Sequence, residues 1–389
     1  MTATIEFFPV HNGDMTLITL ESGKTILIDV NVRKGADDQN DDEKEDVAQL
    51  LKDRLDRDAN GRLYVDAFLL THPDADHCRG LEKHFHLGAP DSWKAKDDKI
   101  LIREMWSSPI IFRRKKDAAD GKELYKDALA WWSEARRRVN LYKASKSIAS
   151  TKDGDFIQIL GEDKDDKTAG LEDILVKVDS NITKICGVPD HTFQAWLFTP
   201  HLLTKEEAEK LSGKNHSSTV VRFSIKADGK DAAATFLVGG DAEVENWDRV
   251  WTRNKNNPHR LSYDILLAPH HCSWRSLSYD SWTDSKDPKV DPDALQALSQ
   301  ANRNAIIIAS SKEIIDDIDN PPCIGAKQEY EKIVNNVNGS FLCTTDECDG
   351  DVLLIEITAN GHRRGSGNGS SLTARKRRMA DKQGGGRYA

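Results

Sequence analysis

The sequence predicts an α/β protein built from layers of sheet and helix. Three apolar runs at 5–10, 15–20 and 25–30 are separated only by the turns HNGD and ESGK, which is typical of an antiparallel sheet. Apolar residues at 47, 50, 51 and 55 then indicate a helix over 43–58. The mostly apolar run DAFLLT at 66–71 is typical of an interior strand. Strands and helices alternate in this way along the chain, which favours a layered α/β core.

The rest of the chain divides into three parts. The segment 91–195 is the least patterned, although 118–144 has helical spacing; there we expect Trp131 and Trp132 to pack and Arg136–Arg138 to lie on a solvated face. The tail at 361–389 is basic and rich in Gly and Ser, so we expect no fixed fold there. We therefore predict one domain over 1–360, with about 91–195 partly a helical insertion. Further strands are predicted at 193–198, 219–225, 234–238, 264–268, 304–309 and 352–357.

Composition limits the class of protein. The 389 residues carry a formal net charge of −9, which argues against a surface that binds nucleic acid everywhere. The tail is basic, unlike the chain as a whole, because 362–389 contains eight Arg or Lys and one Asp. No apolar run approaches the roughly 20 residues of a membrane-spanning helix. The amino terminus lacks the pattern of a signal peptide, and six cysteines form no CxxC pair, so we expect a cytoplasmic protein that does not enter a membrane.

The chemistry is concentrated in the segment THPDADHCRG. It places His72, Asp74, Asp76 and His77 within six positions, directly after the predicted strand at 66–71. Imidazole nitrogens and carboxylate oxygens are ligands for Zn²⁺ and Mn²⁺. Taken alone, the segment also fits a solvated acidic turn with incidental histidines.

Two other strands end in residues of the same type. FLVGGD places Asp241 at the end of one, and DILLAPHHCS places His270 and His271 at the end of another. Strand ends cluster at one edge of a layered α/β sheet, where sites form. The three stretches together therefore predict a metal site.

The ordered set of motifs resembles the metallo-β-lactamase superfamily, and within it the branch of the competence protein ComEC carboxy-terminal domain. The motifs are HxDxDH at 72–77, a strand ending in GDAE at 240–243, and HHCS at 270–273. NGD at 12–14, LID at 27–29, GDF at 154–156 and NHSS at 215–218 also match in order. The resemblance covers roughly 5–90 and 150–358. It implies a four-layered αβ/βα sandwich.

The resemblance also implies a hydrolase with two divalent metal ions, zinc or manganese. His72 and Asp74 would bind one ion, Asp76 and His77 the other, and Asp241 both. His271 would complete the second site, Asp76 would also serve catalysis, and His270 would contact substrate or assist proton transfer. A hydroxide held between the ions would attack the substrate. Asp29 would support the ligands rather than bind metal.

The sequence departs from the superfamily at several positions. Asp74 replaces the usual second His of the first motif, as in the ComEC branch, and the more oxygen-rich set shifts preference toward Mn²⁺. Arg79 and Cys272 stand where glycines are usual. We interpret Cys78 and Cys272 as small buried side chains rather than ligands.

The 215–218 motif leaves roles open. His216 is a candidate third ligand of the first metal, or else a supporting or surface histidine. Asn215 and Ser218 are candidates for binding a phosphate or carboxylate oxygen of the substrate, or else they cap the strand.

We expect hydrolysis of a phosphodiester, with DNA or RNA as the candidate substrate and the basic tail as an aid to polyanion binding. Hydrolysis of a small molecule, such as a cyclic nucleotide, a phosphocholine ester or a lactone, is the main alternative. A catalytically silent binding protein is the third. Under any of these, the segment 91–195 could also contact a protein partner.

Overall fold

A computed structural model describes residues 2–38, 44–112, 124–163, 167–202 and 218–365 and has a mixed α/β fold. Two large sheets contain most of the strands. The first sheet and the short strand β4 beside it comprise β1 (Ala3–Phe7), β2 (Thr16–Thr19), β3 (Thr25–Ile28), β4 (Val30–Asn31), β5 (Tyr64–Leu70), β6 (Phe85–His86), β7 (Ile100–Ser107), β8 (Phe156–Leu160), β9 (Leu175–Val176), β19 (Leu353–Thr358) and β20 (Gly361–Arg364). The second comprises β10 (Asn181–Ile182), β13 (Phe193–Leu197), β14 (Val221–Ala227), β15 (Lys230–Val238), β16 (Tyr263–Leu267), β17 (Ala301–Ala309) and β18 (Ser340–Cys343); β11 (Lys184–Ile185) and β12 (Val188–Pro189) pair separately.

Each large sheet is half antiparallel and half parallel. The first has the order β20-β19-β1-β2-β3-β5-β7-β8-β9, with β6 beside β7, and is parallel from β3 to β9. The second has the order β10-β13-β14-β15-β16-β17-β18 and is parallel from β15 to β18. The predicted amino-terminal antiparallel sheet is confirmed by the β1-β2-β3 pairing.

Helices cover the outer faces of the two sheets. They are α1 (Val47–Lys52), α2 (Ala75–Cys78), α3 (Leu81–His84), α4 (Lys126–Ser145), α5 (Val244–Asn254), α6 (Pro292–Leu298), α7 (Ile324–Asn335) and α8 (Thr344–Glu347). One apolar core lies between the sheets, joining side chains such as Phe7 and Phe236, whose rings meet edge to face at 5.7 Å. A second core joins the first sheet to α1 and α4, and a third joins the second sheet to α5, α6 and α7. Three cores stacked in this way make a helix, sheet, sheet, helix arrangement.

The segment 91–195, which we expected to be partly a helical insertion, contains helix α4 and also supplies strands to both large sheets. These strands are β7, β8 and β9 in the first sheet and β10 in the second. Strand β7 was missed because Arg103 and Glu104 interrupt its apolar pattern. Glu104 is buried and accepts hydrogen bonds from the Trp106 indole, the Gln158 amide and the backbone N–H of Cys186.

Helix α4 confirms the predicted packing of Trp131 but not the solvated face at 136–138. Trp131 is fully buried, and its indole N–H donates to Ser107 Oγ at 3.0 Å. Arg138 is also buried; it pairs with Glu134 at 2.7 Å and donates to the carbonyl oxygens of Ile102 and Phe156. The expectation was wrong for Arg138 because its guanidinium satisfies backbone acceptors and a carboxylate inside the fold.

Two further segments have bounds that differ from those predicted. The helix expected over 43–58 is limited to Val47–Lys52; the Asp46 side chain caps its start, and Arg57 and Leu63 form a β-bridge beyond its end. The basic tail does not begin at 361, because Gly361–Arg364 pairs with β19 as an edge strand; 366–389 lie outside the described residues. No helix among the described residues is both long enough and apolar enough to cross a membrane.

Candidate metal centre

The acidic and imidazole side chains singled out from sequence lie where strands of both sheets end. Asp29 directly follows β3, and His72 lies two residues after β5. Asp241 follows β15, and His270 and His271 follow β16. All four strands belong to parallel pairs, whose carboxyl ends share one edge of a sheet. The two sheets therefore bring three distant stretches of sequence to one place.

Asp241 is at the centre of this group. Its Oδ1 lies 2.9 Å from His77 Nε2 and 3.3 Å from His271 Nε2, and its Oδ2 lies 3.5 Å from His72 Nε2. One ligand atom each from Asp76, His77, Asp241 and His271 falls within 4.8 Å of the others. Four side chains with this spacing can bind a common cation.

The side of the group that faces solvent is formed by Asp74, Asp76 and His270. Asp74 Oδ2 lies 3.9 Å from His72 Nε2, and Asp76 Oδ2 lies 3.5 Å from His271 Nε2. The side chains of Asp74, Asp76 and His270 are 23%, 34% and 13% exposed, whereas those of His72 and His77 are 0% exposed. A substrate would therefore approach from the side of the two carboxylates and His270.

Asp29 fixes the orientation of His77. Its carboxylate accepts hydrogen bonds from the backbone N–H and hydroxyl of Thr71 and, at 2.8 Å, from His77 Nδ1. With Nδ1 used in this way, His77 Nε2 faces Asp241. The supporting role expected for Asp29 agrees with this geometry, since a carboxylate on the far nitrogen sets the tautomer of a ligating histidine.

Asp14 is a member of the site that sequence reasoning missed. It is 2% exposed, and its carboxylate lies 3.8 Å from His77 Nδ1 and 3.4 Å from His271 Nδ1. Asp14, Asp29 and His77 form a second group with ligand atoms within 4.8 Å. The signals were its place in the NGD motif at 12–14 and at the end of the turn HNGD, but an acidic residue at such a position is usually a solvated turn residue.

Gly13 allows the chain to pass close to the Asp76 loop. Its φ is 146°, and its N–H donates to His271 Nδ1 at 3.2 Å. A Cβ at this position would lie 1.9 Å from Asn31 Nδ2 and 2.8 Å from the Asp76 carbonyl oxygen. Only glycine fits without moving these neighbours.

His270 and His271 are held in an unusual backbone conformation. Both lie in the short helical turn Pro269–Cys272 with left-handed φ angles of 52° and 53°. The His270 backbone N–H donates to the Gly240 carbonyl oxygen at 3.0 Å, which ties this turn to the one containing Asp241. Left-handed non-glycine residues cost free energy and cluster at functional sites.

The charges in the group balance one another. Burial would raise the pKa of Asp241, but His77 and His271 hold it well below its usual range. Burial would lower the pKa of His77 and His271, but Asp241 and the other carboxylates raise that of His77 well above its usual value and that of His271 to about 10. A bound cation would take the place of these imidazole protons as the counter-charge to Asp241.

The predicted residues of the 215–218 motif are only partly described. His216 and Asn215 lie outside the described residues. Ser218 is fully buried, its Oγ has no hydrogen-bond partner in the described part of the chain, and the next residue, Thr219, donates from its backbone N–H to the Thr71 carbonyl oxygen. Ser218 therefore lies beside the segment that carries His72.

The two cysteines next to the site are buried, as expected from sequence. Cys78 and Cys272 are both 0% exposed, and burial raises the pKa of each thiol. A neutral, buried thiol is a poor ligand and a poor nucleophile.

The donor set fits divalent metal ions. His72 Nε2, His271 Nε2 and Asp14 Oδ1 are buried without a hydrogen-bond partner among the described residues, which is costly for polar atoms unless a ligand satisfies them. Carboxylate and imidazole together suit zinc and manganese. No protein-family model matches the chain, and no curated protein matches it.

Proposed function

We propose that the protein is a metal-dependent hydrolase of phosphodiester bonds with a metallo-β-lactamase fold. The observation that carries the proposal is the convergence of Asp76, His77, Asp241 and His271 within 4.8 Å, after the carboxyl ends of strands from both large sheets. The helix, sheet, sheet, helix layering and the order of the motifs along the chain support the same assignment.

Two metal sites are proposed. His72, Asp74 and Asp241 would hold one ion, and Asp76, His77, His271 and Asp241 the other. Divalent ions bound there would lower the pKa of a water molecule and neutralise charge on a phosphoryl group. Four carboxylates near the ions, those of Asp14, Asp74, Asp76 and Asp241, make the site oxygen-rich, which favours Mn²⁺ over a purely imidazole site.

His270 is the proposed proton-transfer residue. Burial lowers its pKa, so its ring is neutral near pH 7 and can accept a proton. Its Nε2 lies 3.6 Å from Asp241 Oδ2 at the solvent-facing side of the site. In hydrolysis, water adds to phosphorus and the ester P–O bond breaks. His270 Nε2 would receive the proton released by the water and return it to the departing alcohol oxygen.

The test compares the purified wild type with two double variants. Asp76→Ala/His77→Ala removes proposed ligands, and Asp231→Ala/His259→Ala removes the same residue types at exposed positions. Each protein is assayed with Mn²⁺ and with Zn²⁺ on single-stranded DNA, duplex DNA, RNA and bis-nitrophenyl phosphate. Circular dichroism checks that each variant is folded.

We expect the wild type and the exposed-site variant to cleave nucleic acid and the ligand variant to lose at least about a thousandfold in rate, because the ions supply several kcal/mol of transition-state stabilisation. Turnover of small esters without nucleic-acid cleavage would instead favour a small-molecule hydrolase. No turnover of any substrate with either metal would contradict the proposal.

A further inference from the structure

A cationic cavity of about 450 Å³ lies next to the proposed metal centre. It is defined by the basic side chains Arg33, Lys34, Arg79, Lys83 and Lys126. These come from three separate parts of the chain: the segment after β4, the segment around α3, and the start of α4. The cavity contrasts with the overall charge of −9.

The two acidic residues that also line the cavity already have partners. Asp37 pairs with Lys83 and accepts from His84 Nε2 at 3.0 Å. The Asp127 carboxylate accepts the backbone N–H groups of Gly80 and Glu82 at 3.2 and 2.8 Å. Within the described ranges, no carboxylate pairs with the other four cations: Arg33, Lys34, Arg79 and Lys126.

The positive charges of Arg33 and Arg79 are close enough to repel one another. The Val32 backbone N–H donates to the Arg79 carbonyl oxygen at 2.9 Å, so the two segments run side by side. Arg33 Nε is buried and has no acceptor in the described part of the chain. Burial lowers the pKa of Arg33, and the charge of Arg79 lowers it further. A bound anion would relieve both the missing hydrogen bond and the repulsion.

A chain of contacts joins this cavity to the metal centre. Arg79 Nη1 donates to Asn31 Oδ1 at 3.0 Å, and Asn31 Nδ2 donates to the Asn12 carbonyl oxygen at 3.1 Å. The next residues of that turn are Gly13, which contacts His271, and Asp14, whose N–H donates to the Asp76 carbonyl oxygen at 3.2 Å. The cavity therefore lies on the Asp76 side of the centre.

On the His270 side of the centre, the nearby cavity is lined mainly by acidic side chains rather than basic ones. A cavity of about 430 Å³ there is lined by Glu243, Glu245, Asp280 and Asp284, with Arg275 as its basic residue. His270 Nδ1 lies 3.7 Å from Glu243 Oε1 at this side. The acidic cavity beyond His270 would repel a polyanion and the Arg33 side would attract one, so a strand that reaches the proposed ions would extend toward the Arg33 side.

We propose that the cationic cavity binds a phosphate of a nucleic-acid strand, away from the bond that is hydrolysed. The proposal rests on the proposed function and specifies its substrate as a strand with several phosphates rather than a small ester. Guanidinium groups bind phosphate oxygens through paired hydrogen bonds, and lysine adds charge without fixed geometry. The strand would pass from the Arg33 side across Asp76 to the proposed ions.

The test measures binding separately from hydrolysis. Fluorescence anisotropy gives the Kd of a labelled 12-nucleotide DNA single strand in EDTA, between 50 and 200 mM salt. The variant Arg33→Gln/Lys126→Gln removes two cavity cations and leaves Arg79 in place. Lys226→Gln/Lys230→Gln removes two cations at the hairpin between β14 and β15, at the opposite end of β15 from Asp241.

We expect the cavity variant to raise Kd at 50 mM salt by about tenfold and to reduce the slope of log Kd against log salt by about 0.7, because the cavity binds one phosphate and each phosphate contact on a single strand contributes about 0.7. The hairpin variant should bind as the wild type does. An equal Kd and slope in all three proteins would overturn the proposal.

Two further results separate this proposal from the proposed function. If the wild type hydrolyses diesters but the cavity variant binds the labelled strand with the wild-type Kd and salt slope, the proposed hydrolase function stands and the proposed strand site is overturned. If inorganic phosphate displaces the labelled strand as well as unlabelled strand does at equal phosphate concentration, the cavity is a site for free phosphate, and the strand proposal is overturned.

Discussion

Asp29 Oδ2 lies 2.8 Å from His77 Nδ1, and both side chains are fully buried. This contact leaves His77 Nε2 directed at Asp241, 2.9 Å away. Asp29 thus determines which nitrogen of His77 faces Asp241.

Replacing Asp29 by Asn is expected to weaken metal binding by about 10- to 100-fold, as is typical of residues that orient a ligating histidine. An amide N–H facing His77 Nδ1 would place the imidazole proton on Nε2, toward Asp241. Isothermal titration with Mn²⁺ or Zn²⁺ measures the affinity, and ¹⁵N chemical shifts report the tautomer of His77.

The matched control is Asp66→Asn. Asp66 is also buried and hydrogen-bonded, but it lies in β5 away from the end that carries His72. The Asp66→Asn substitution should lower the free energy of unfolding without changing metal affinity or the His77 tautomer. An Asp29→Asn variant with wild-type affinity and the wild-type tautomer would show that His77 is not positioned by Asp29.

Gly13→Ala is expected to destabilise the protein by about 2 kcal/mol or more, because strain and overpacking each cost about 1–3 kcal/mol. The new methyl group would overlap Asn31 and press on the Asp76 carbonyl oxygen, so metal affinity should fall as well. Urea denaturation and metal titration measure the two effects.

Gly229→Ala provides the comparison. Gly229 has a φ of 78°, but a Cβ there would meet nothing within 4 Å, so only the backbone cost of about 1 kcal/mol is expected, with unchanged metal affinity. Equal losses in stability and affinity for the two variants would argue against a close approach at Gly13.

Glu104 predicts a pH dependence of stability. Burial raises the pKa of Glu104 from 4.5 to about 7, although its hydrogen bonds from Trp106, Cys186 and Gln158 oppose the shift. Between about pH 4.5 and 7 the folded protein holds a proton that the unfolded chain has released, so the free energy of unfolding falls as pH rises through this window. The full effect is about 3 kcal/mol.

Glu104→Gln removes this titration. The variant should therefore gain about 2–3 kcal/mol of stability relative to the wild type when pH is raised from 5 to 8. Chemical denaturation at both pH values measures the difference, and Glu82→Gln, at an exposed position, shows the change for a surface glutamate. No change in the relative stability of Glu104→Gln would show that Glu104 is ionised throughout.

Sequence reasoning located the candidate site because its residues belong to ordered motifs at strand ends. His72, Asp241 and His271 each follow an apolar run that is easy to recognise, and those strands are present in the structure within a few residues of their predicted bounds. The side-chain types then indicated metal binding. The pairing of β3 with β5 and of β15 with β16 brings them together.

Other features depend on tertiary contacts that leave little trace in a local pattern. Glu104 and Arg138 look like surface residues in sequence, but each is buried with hydrogen-bond partners from distant segments. In sequence Asp14 has the pattern of a turn residue, but in the structure it contacts His271, which lies more than 250 positions later in the chain. Such residues become recognisable only when the partner segments are placed beside them.

The metal content of the purified protein shows whether Asp241 and its neighbours bind two ions. The wild type, Asp241→Asn and the exposed-site control Asp231→Asn would be purified after growth with added zinc or manganese, desalted, and analysed by mass spectrometry of the metals. We expect about two ions per chain in the wild type and the control, and fewer than one in Asp241→Asn. A wild type that retains no metal and binds none on titration would contradict this expectation.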